Sequence, residues 1–234
     1  MTVLCIETST SVCSAAICKE GKPLKQCICL EGSNHARLLP LYIEELLRFA
    51  KQEGLTIEAV ALSEGPGSYT GLRIGTSTAK GLCYGLNVPL IPVPTLHVLI
   101  EAAKEKLEES GIKNQESGIF IPLIDARRME VYTTDPSGNA RAVVVENEES
   151  LSFDSGAVYY FGDGAAKCQA LFTSPNWHYI PDIVPEARFV GVLAEKMTND
   201  KCQMTNAKSV DLAYYEPYYL KQFVAAQSHV KGLK

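Results

Sequence analysis

The first part of the chain has the apolar patterning of a small antiparallel sheet. Residues 2–8 (TVLCIET) form a β-branched, apolar run that ends in polar residues, which predicts a strand followed by a tight turn. Residues 12–32 hold two more apolar stretches on either side of Glu20-Gly21, a dipeptide that favours a hairpin turn. The chain is therefore predicted to begin as a meander of three antiparallel strands.

The next segment, residues 33–54, has the spacing of an amphipathic helix with Ser33 or Asn34 as N-cap and Gly54 at its end. Pro40 is expected in the first turn, where its missing N–H is tolerated. Two apolar stripes run along this helix, the first made of Leu39, Ile43, Leu46 and Ala50 and the second of Leu38, Tyr42 and Phe49. Because one stripe is enough to cover a sheet, the second indicates a partner on that side.

The elements that follow predict an α/β fold with two lobes. Between residues 57 and 110 the pattern reads strand, helix, strand, helix, which favours parallel strands joined by right-handed crossovers. After a polar interruption the opening theme returns as an apolar strand, a turn with Asp125, and another strand. We therefore expect an N-terminal lobe at 1–108 and a C-terminal lobe at 109–234, each a mixed β-sheet flanked by helices.

The segment 63–82 (SEGPGSYTGLRIGTSTAKGL) joins a strand to a helix through a Gly-Pro-Gly turn. Free N–H groups and the helix dipole can bind an anion at such a helix start, although the glycine spacing matches neither common nucleotide fingerprint. Alternatively, Gly71 and Gly75 form a flat strip for an approaching helix, with the opposite stripe toward the sheet. That opposite stripe consists of Leu72, Ala79, Leu82 and Leu86. The residues alone leave both interpretations open.

A second candidate site is the end of the first strand, Glu7-Thr8-Ser9. An acid at a strand end, followed by hydroxyls, can hold magnesium and phosphate in actin-like ATPases and sugar kinases, where the acid is usually Asp followed by Gly. The carboxylate of Glu7 could equally cap its own loop by accepting backbone N–H bonds.

Composition and spacing argue against several classes of protein. A formal charge of −5 does not suit a stand-alone nucleic-acid binder. The sequence shows neither a signal-peptide pattern nor a membrane-length apolar run, so a cytoplasmic location is expected. No metal or cofactor is expected, because the four histidines lack ligand spacing and His97 with Glu101 makes half a site at best. The eight cysteines, including Cys27 and Cys29, are expected to be reduced and packed as small apolar residues.

The run from Gly65 to Gly75 (GPGSYTGLRIG) and the strand end Glu7-Thr8-Ser9 together resemble the TsaB (YeaZ) family. The segments 93–96 (VPTL) and 216–221 (EPYYLK) are also similar to that family. The resemblance implies a two-lobed fold of the actin-like/Hsp70 (ASKHA) superfamily.

The resemblance also implies function through partnership. TsaB-like proteins are non-catalytic dimerization subunits that pair with the TsaD-like enzyme, which transfers threonylcarbamoyl to the tRNA adenosine next to the anticodon. A TsaE-like ATPase joins them, the subunit forms a homodimer when alone, and tRNA is contacted only through the complex. TsaD-like chains carry two metal-binding histidines four residues apart, whereas the corresponding segment here has only His97. The alternatives are an active ATPase or sugar kinase of the same superfamily, or a metalloprotease.

The resemblance places the partner interface on the first two helices of the N-terminal lobe. The residues expected there are Leu38, Leu39, Tyr42, Ile43, Tyr69, Leu72, Arg73, Gly75, Thr76 and Lys80. A possible vestigial nucleotide or anion site comprises Glu7, Thr8, Ser9, Ser68 and Thr70. No catalytic residue is assigned.

Overall fold

The computed structural model describes residues 1–32, 34–111, 118–153, 156–199 and 210–221, which form a mixed α/β protein. The elements of the first half are β1 (Thr2–Glu7), β2 (Cys13–Lys19), β3 (Lys22–Cys29), α1 (His35–Gln52), β4 (Ala59–Gly65), α2 (Tyr69–Leu86), β5 (Leu90–Pro94) and α3 (Thr95–Glu109). Those of the second half are β6 (Ile119–Pro122), β7 (Ile124–Asp125), β8 (Glu130–Thr134), β9 (Ala140–Val144), β10 (Val158–Phe161), α4 (Ala165–Cys168), β11 (Trp177–Ile180) and α5 (Ala187–Asn199). None of the described helices is both long enough and apolar enough to cross a membrane.

The first sheet has the strand order β3-β2-β1-β4-β5 and confirms the predicted strands. Strands β1, β2 and β3 pair antiparallel, and β1, β4 and β5 pair parallel. The β2–β3 turn forms at Glu20 and Gly21, both of which have positive φ angles (52° and 73°). Two successive positive φ angles define the type I′ hairpin turn that the dipeptide predicts.

The second half repeats this strand order in two smaller sheets. Strand β6 pairs parallel with β10, which pairs parallel with β11, while β7, β8 and β9 form an antiparallel meander. Only Leu123 separates β6 from β7, so the combined order is β9-β8-β7/β6-β10-β11. This is the order and strand sense of the first sheet, which agrees with the duplication that the sequence predicts.

Each face of the first sheet carries its own apolar core. Leu4 and Ile6 of β1 point into a core shared with α1 and α2. Val3 and Cys5 point to the other face, which packs against α3, α5 and part of the second half of the chain. Because α5 comes from the second half but packs against the first sheet, it ties the two halves together. The boundary at residue 108 stays a prediction.

Helix α1 begins earlier than its proline suggests. It starts at His35, so Pro40 lies in the second turn, and the expectation that Pro40 marks the first turn is wrong. Asn34 occupies the N-cap position without a side-chain cap, and Ser33 lies outside the described residues. The buried His35 explains the early start, because its Nε2 lies 2.9 Å from the Thr10 carbonyl oxygen and donates to it.

The second apolar stripe of α1 packs against this chain itself. Leu38, Tyr42 and Phe49 are half-buried against the α1 side of the sheet, and Lys25 of β3 lies 5.4 Å from the centre of the Phe49 ring. Packing within the chain accounts for the buried part of this stripe, and a partner on its exposed part stays a prediction. The edge strand β3 supplies the second surface that the helix covers.

Gly191 of α5 tests how closely α5 packs on the first sheet. A Cβ at this position would lie 2.3 Å from the Cys18 sulfur and 3.1 Å from the Cys5 sulfur, both buried in β-strands. We predict that Gly191→Ala lowers the free energy of unfolding by ~1–3 kcal/mol through overpacking. In Gly81→Ala, where a Cβ meets nothing within 4 Å, the free energy should rise by ~0.5–1 kcal/mol. Urea unfolding of both variants checks this, and equal effects would contradict the described packing.

Candidate functional site

The acid at the end of β1 is sealed inside the protein. Glu7 is fully buried, and its Oε1 accepts hydrogen bonds of 2.5 Å from both the backbone N–H and the hydroxyl of Ser9. Its Oε2 has no hydrogen-bond partner among the described residues. Burial raises the pKa of Glu7, and hydrogen bonds from Ser63, Ser9 and Thr8 partly oppose this rise. The carboxyl thus caps its own loop, the second of the two roles that the sequence left open.

Other buried hydroxyls surround this strand end and anchor helices to it. The Ser63 and Thr95 hydroxyls lie 2.7 Å apart, and Thr95 accepts a 3.0 Å bond from the Gly65 N–H. The Ser14 hydroxyl accepts a 2.9 Å bond from the N–H of Ala187, the first residue of α5. These contacts join β2 and β4 to α5 and α3 beside Glu7, so the region is structural.

Thr8 forms the contact between this turn and α2. Its hydroxyl donates to the Gly71 carbonyl oxygen at 2.9 Å. A Cβ at Gly71 would lie 2.0 Å from the Thr8 carbonyl oxygen, and one at Gly75 would lie 2.3 Å from the Thr8 hydroxyl. The glycine strip expected to meet a partner helix therefore faces the chain's own β1–β2 turn.

Five residues expected at the partner interface are buried within this chain. They are Leu39, Ile43, Leu72, Gly75 and Thr76. They belong to the face of each helix that packs on the sheet. Lys80 donates from its ammonium to the carbonyl oxygens of Ala213 (3.0 Å) and Tyr215 (3.2 Å). Its positive charge therefore holds a neighbouring segment of the same chain.

Four of the expected interface residues remain at least partly exposed. Leu38, Tyr42 and Tyr69 are half-buried, and Arg73 is exposed. The Arg73 guanidinium lies over the Tyr69 ring at 5.4 Å and donates to its hydroxyl at 3.3 Å.

The outward surface of α1 and α2 contains residues that the sequence reasoning missed. We call this set the outer face: Leu41, Ser77, Gly81, Tyr84 and Gly85. Leu41 is 54% exposed and Tyr84 is 85% exposed, while Cβ atoms at Gly81 and Gly85 would meet nothing within 4 Å. Gly81 and Gly85, four residues apart, form an exposed strip on α2. The predicted strip, Gly71 and Gly75, lies nearer the start of the same helix. Placing Leu72 and Ala79 inside, as the sequence does, puts Gly81 and Tyr84 outside by helical periodicity.

A C-terminal strap, residues 210–221, lies along the flank of α2 that carries Lys80. Its Tyr218 N–H donates to the Glu64 carbonyl oxygen at 2.8 Å, and the Tyr219 ring lies 5.0 Å from the Tyr69 ring. At its end, Lys221 pairs with the Glu130 carboxylate of β8. The strap thus connects the first sheet with the β7-β8-β9 sheet. It includes residues 216–221 (EPYYLK), the segment that is similar to the TsaB (YeaZ) family.

A cleft of about 770 Å³ lies between the two halves of the chain. The starts of α1 and α2 line one wall, where Ser68 and Thr70 are exposed, while Ser9 is fully buried and donates its hydroxyl to Glu7. Arg37 and Arg127 also line the cleft, and neither forms an ion pair within the described ranges. Of the five residues predicted for an anion site, Glu7 and Thr8 are buried behind the wall and do not line the cleft.

The carboxylates of the opposite wall, Asp125 and Asp163, bond to groups within the same half of the chain. Asp163 accepts a 2.9 Å bond from the Asp125 N–H, and Asp125 is paired with Lys167. Among the residues that the structure describes, no group of three or more His, Cys, Asp or Glu could hold a metal ion. His97 does not share a site with Glu101, since the Glu101 carboxylate pairs with Lys196 at 2.7 Å.

This geometry defines a class: a mixed α/β protein whose repeated sheets enclose a cleft and whose strand-end acid is sealed. The family model described as TsaD, tRNA N6-adenosine threonylcarbamoyltransferase, matches residues 30–151. The TsaB protein of Escherichia coli K12 is 28% identical over 233 residues, which cover 96% of each chain. That of Haemophilus influenzae is 33% identical over 132 residues, which cover 56% of this chain and 52% of the relative. Both relatives carry the name tRNA threonylcarbamoyladenosine biosynthesis protein TsaB.

Solved structures agree with these sequence relationships. YeaZ from Pseudomonas aeruginosa superimposes with a TM-score of 0.70 at 25% identity, covering 94% of this chain and 99% of that one. The chain belongs to the TsaB (YeaZ) family, within the broader group that the TsaD model describes.

The sealed Glu7 carboxyl makes a prediction about pH. Because its folded-state pKa is raised, its contribution to stability is fully present below the unfolded pKa of about 4.3 and is lost as pH rises through the folded pKa. Urea unfolding from pH 4 to 8 should therefore show a smaller loss of stability with rising pH in Glu7→Gln than in the parent chain.

Glu45 provides the matched control for this measurement. Lys25 lowers the pKa of the exposed Glu45 carboxyl, so Glu45→Gln should change the pH dependence in the opposite sense. Identical pH profiles for Glu7→Gln and the parent chain would show that Glu7 is not the buried acid described.

Proposed function

We propose that this protein is a non-catalytic dimerization subunit in the biosynthesis of N6-threonylcarbamoyladenosine in tRNA. Its partner would be a TsaD-like threonylcarbamoyltransferase, with a TsaE-like ATPase in the same complex and with homodimers when the partner is absent. The observation that carries the proposal is the outer face, where Leu41 and Tyr84 are exposed beside the open strip at Gly81 and Gly85. The names of the TsaB relatives support the pathway.

Close packing between helices favours small residues at the contact and apolar residues around it. Gly81 and Gly85 leave the α2 backbone open, so a partner helix can approach to about 8–10 Å between axes. Burial of Tyr84 and Leu41 would then contribute ~25 cal/mol per Å² of apolar surface. A four-helix contact of α1 and α2 with the equivalent pair of a partner satisfies both conditions.

The position of Glu7 supports the proposal that this subunit is non-catalytic. An ATPase or sugar kinase needs a strand-end acid that reaches the nucleotide, but Glu7 is buried behind Ser9 and does not line the cleft. The alternative of an active ATPase therefore lacks its central group, and no metal cluster in the described ranges supports a metalloprotease.

The proposal includes a two-lobed fold of the actin-like (ASKHA) type. The repeated strand order supports it, with lobes at 1–108 and 109–234 and with α5 packed back on the first sheet. We further propose a cytoplasmic location and contact with tRNA only through the complex, as the charge of −5 favours.

We also propose that the cleft is a remnant of an anion site, with fewer of the predicted residues than the sequence indicates. The exposed residues Ser68, Thr70, Arg37 and Arg127 line it, while the Ser9 hydroxyl is bonded to Glu7. The helices α1 and α2 both begin at this wall with no acidic residue in the first turn, so their dipoles favour a negative group. Such a site can hold an anion without turning it over.

The interface proposal is tested with Gly85→Trp and Leu41→Glu. Both variants should fold normally, because both positions are open, and both should weaken binding to the TsaD-like enzyme at least tenfold by blocking helix approach or burying a charge. Leu24→Glu is the control, since Leu24 on β3 is similarly exposed (46%) but lies away from α2. Affinity is measured by titration of the purified partner and by co-elution on gel filtration. Unchanged affinity in both variants would place the interface elsewhere.

A further inference from the structure

Two cysteines face each other across the β2–β3 hairpin. Cys13 of β2 and Cys29 of β3 are direct partners in the antiparallel register. Directly opposed residues in such a pair have Cα atoms about 4.5 or 5.5 Å apart, and disulfides span about 4.4–6.8 Å between Cα atoms. The backbone of the hairpin therefore already holds these two residues at bonding separation.

The two sulfurs also share the same surroundings. Both side chains lie on the α1 side of the sheet, beside Tyr42 of α1. Burial, followed by the nearby Cys29, Cys13, Cys27 and Glu45, raises the pKa of the Tyr42 phenol. Both cysteines therefore lie close to the Tyr42 side chain of α1.

The two thiols differ in access to solvent. Cys29 lies on the edge strand of the sheet, is partly exposed, and donates from its Sγ to the Glu31 carbonyl oxygen at 3.1 Å. Cys13 is fully buried, and burial raises the pKa of its thiol to about 11. Because the thiolate is the reacting form and needs access, Cys29 is the thiol that meets an oxidant first and Cys13 is the one that resolves it.

We propose that Cys29 and Cys13 form a redox modification site that closes to a disulfide when a hydroperoxide reaches the edge of the sheet. The Cys29 sulfur attacks the peroxide, taking one oxygen to become a sulfenic acid and releasing water or the corresponding alcohol. The Cys13 thiol then attacks the Cys29 sulfur, displacing a second water and forming the S–S bond. Two thiols lose two electrons and two protons, the peroxide is reduced, and a dithiol reverses the bond.

A second cysteine pair provides the contrast within the same sheet. The thiols of Cys5 and Cys18 also approach each other, because both would contact a Cβ built on Gly191. Both are almost completely buried beneath α5, so an oxidant cannot reach them in the folded chain. Access, and not proximity alone, selects the hairpin pair.

The bond would change how the edge strand is held. Among the described strands β3 pairs with β2 alone, and the Tyr42 side of α1 packs above it. A covalent link at Cys29 would fix the end of β3 just before the segment that leads to α1. This inference rests on the hairpin geometry alone and does not depend on the proposed partner.

The test is thiol counting on the full, folded chain after exposure to hydrogen peroxide. Peroxide is quenched with catalase, the chain is denatured and labelled with N-ethylmaleimide, and intact mass gives the number of free thiols. The parent chain should lose two labels without forming a covalent dimer, and peptide mapping should link Cys13 to Cys29. Cys27→Ala, the matched control two residues away and opposite Ala15, should also lose two labels.

Two further variants make the result decisive. Cys29→Ala should lose no labels, and Cys13→Ala should carry a sulfenic acid at Cys29 that reacts with dimedone. The proposal is overturned if the parent chain keeps every label at a peroxide concentration that gives the dimedone adduct in Cys13→Ala. It is equally overturned if no adduct forms, if Cys29→Ala still loses two labels, or if mapping links another pair.

Discussion

The close approach of α2 to the turn after β1 is the contact on which the rest of this structure depends. Gly67, Gly71 and Gly75 leave no room for a side chain against Thr8 and Ser9, and the Ser68 N–H donates to the Ser9 carbonyl oxygen at 2.6 Å. This contact closes the β1 end over Glu7. It also fixes the rotation of α2, so that Gly81, Tyr84 and Gly85 point outward and the start of the helix lines the cleft.

The sequence predicted the first sheet and its helices well, because local signals dominate there. Apolar runs, the Glu20-Gly21 turn and the glycine after α1 each depend on a few neighbouring residues. The strand order of the second half follows the same logic, although the strands are short and β6 and β7 are interrupted at Leu123. The N-cap at Asn34 was predicted as well, and what failed was the placement of Pro40, which lies in the second turn of a helix that starts at the buried His35.

In the candidate site, too, local signals were read correctly and tertiary contacts were not. The sequence predicts a close approach at the glycines between Gly65 and Gly75, and in the structure Gly71 and Gly75 approach the turn at Thr8. Helical periodicity is enough to distinguish the two pairs of glycines, because Gly75 is four residues before Ala79 and shares its inward face. Gly81 and Gly85 lie on the opposite face, and the tertiary contact that periodicity cannot supply is the one with Thr8.

Two of the residues predicted for an anion site, Glu7 and Thr8, make structural contacts within this chain. The acid that would reach a ligand caps a loop, and the strap 210–221 occupies one flank of α2. The outer face of α1 and α2 is open, with Leu41 and Tyr84 exposed. The proposed role, assembly with an enzyme, depends on the residues that this surface exposes.

The most direct test of that role is a reconstituted modification assay. Purified TsaD-like enzyme, a TsaE-like ATPase, threonylcarbamoyl-adenylate and unmodified tRNA are combined with and without this chain, and N6-threonylcarbamoyladenosine is measured after nuclease digestion. The account predicts product only when the enzyme and this chain are both present, and none when this chain replaces the enzyme. Equal product without this chain, or product from this chain without the enzyme, would contradict it.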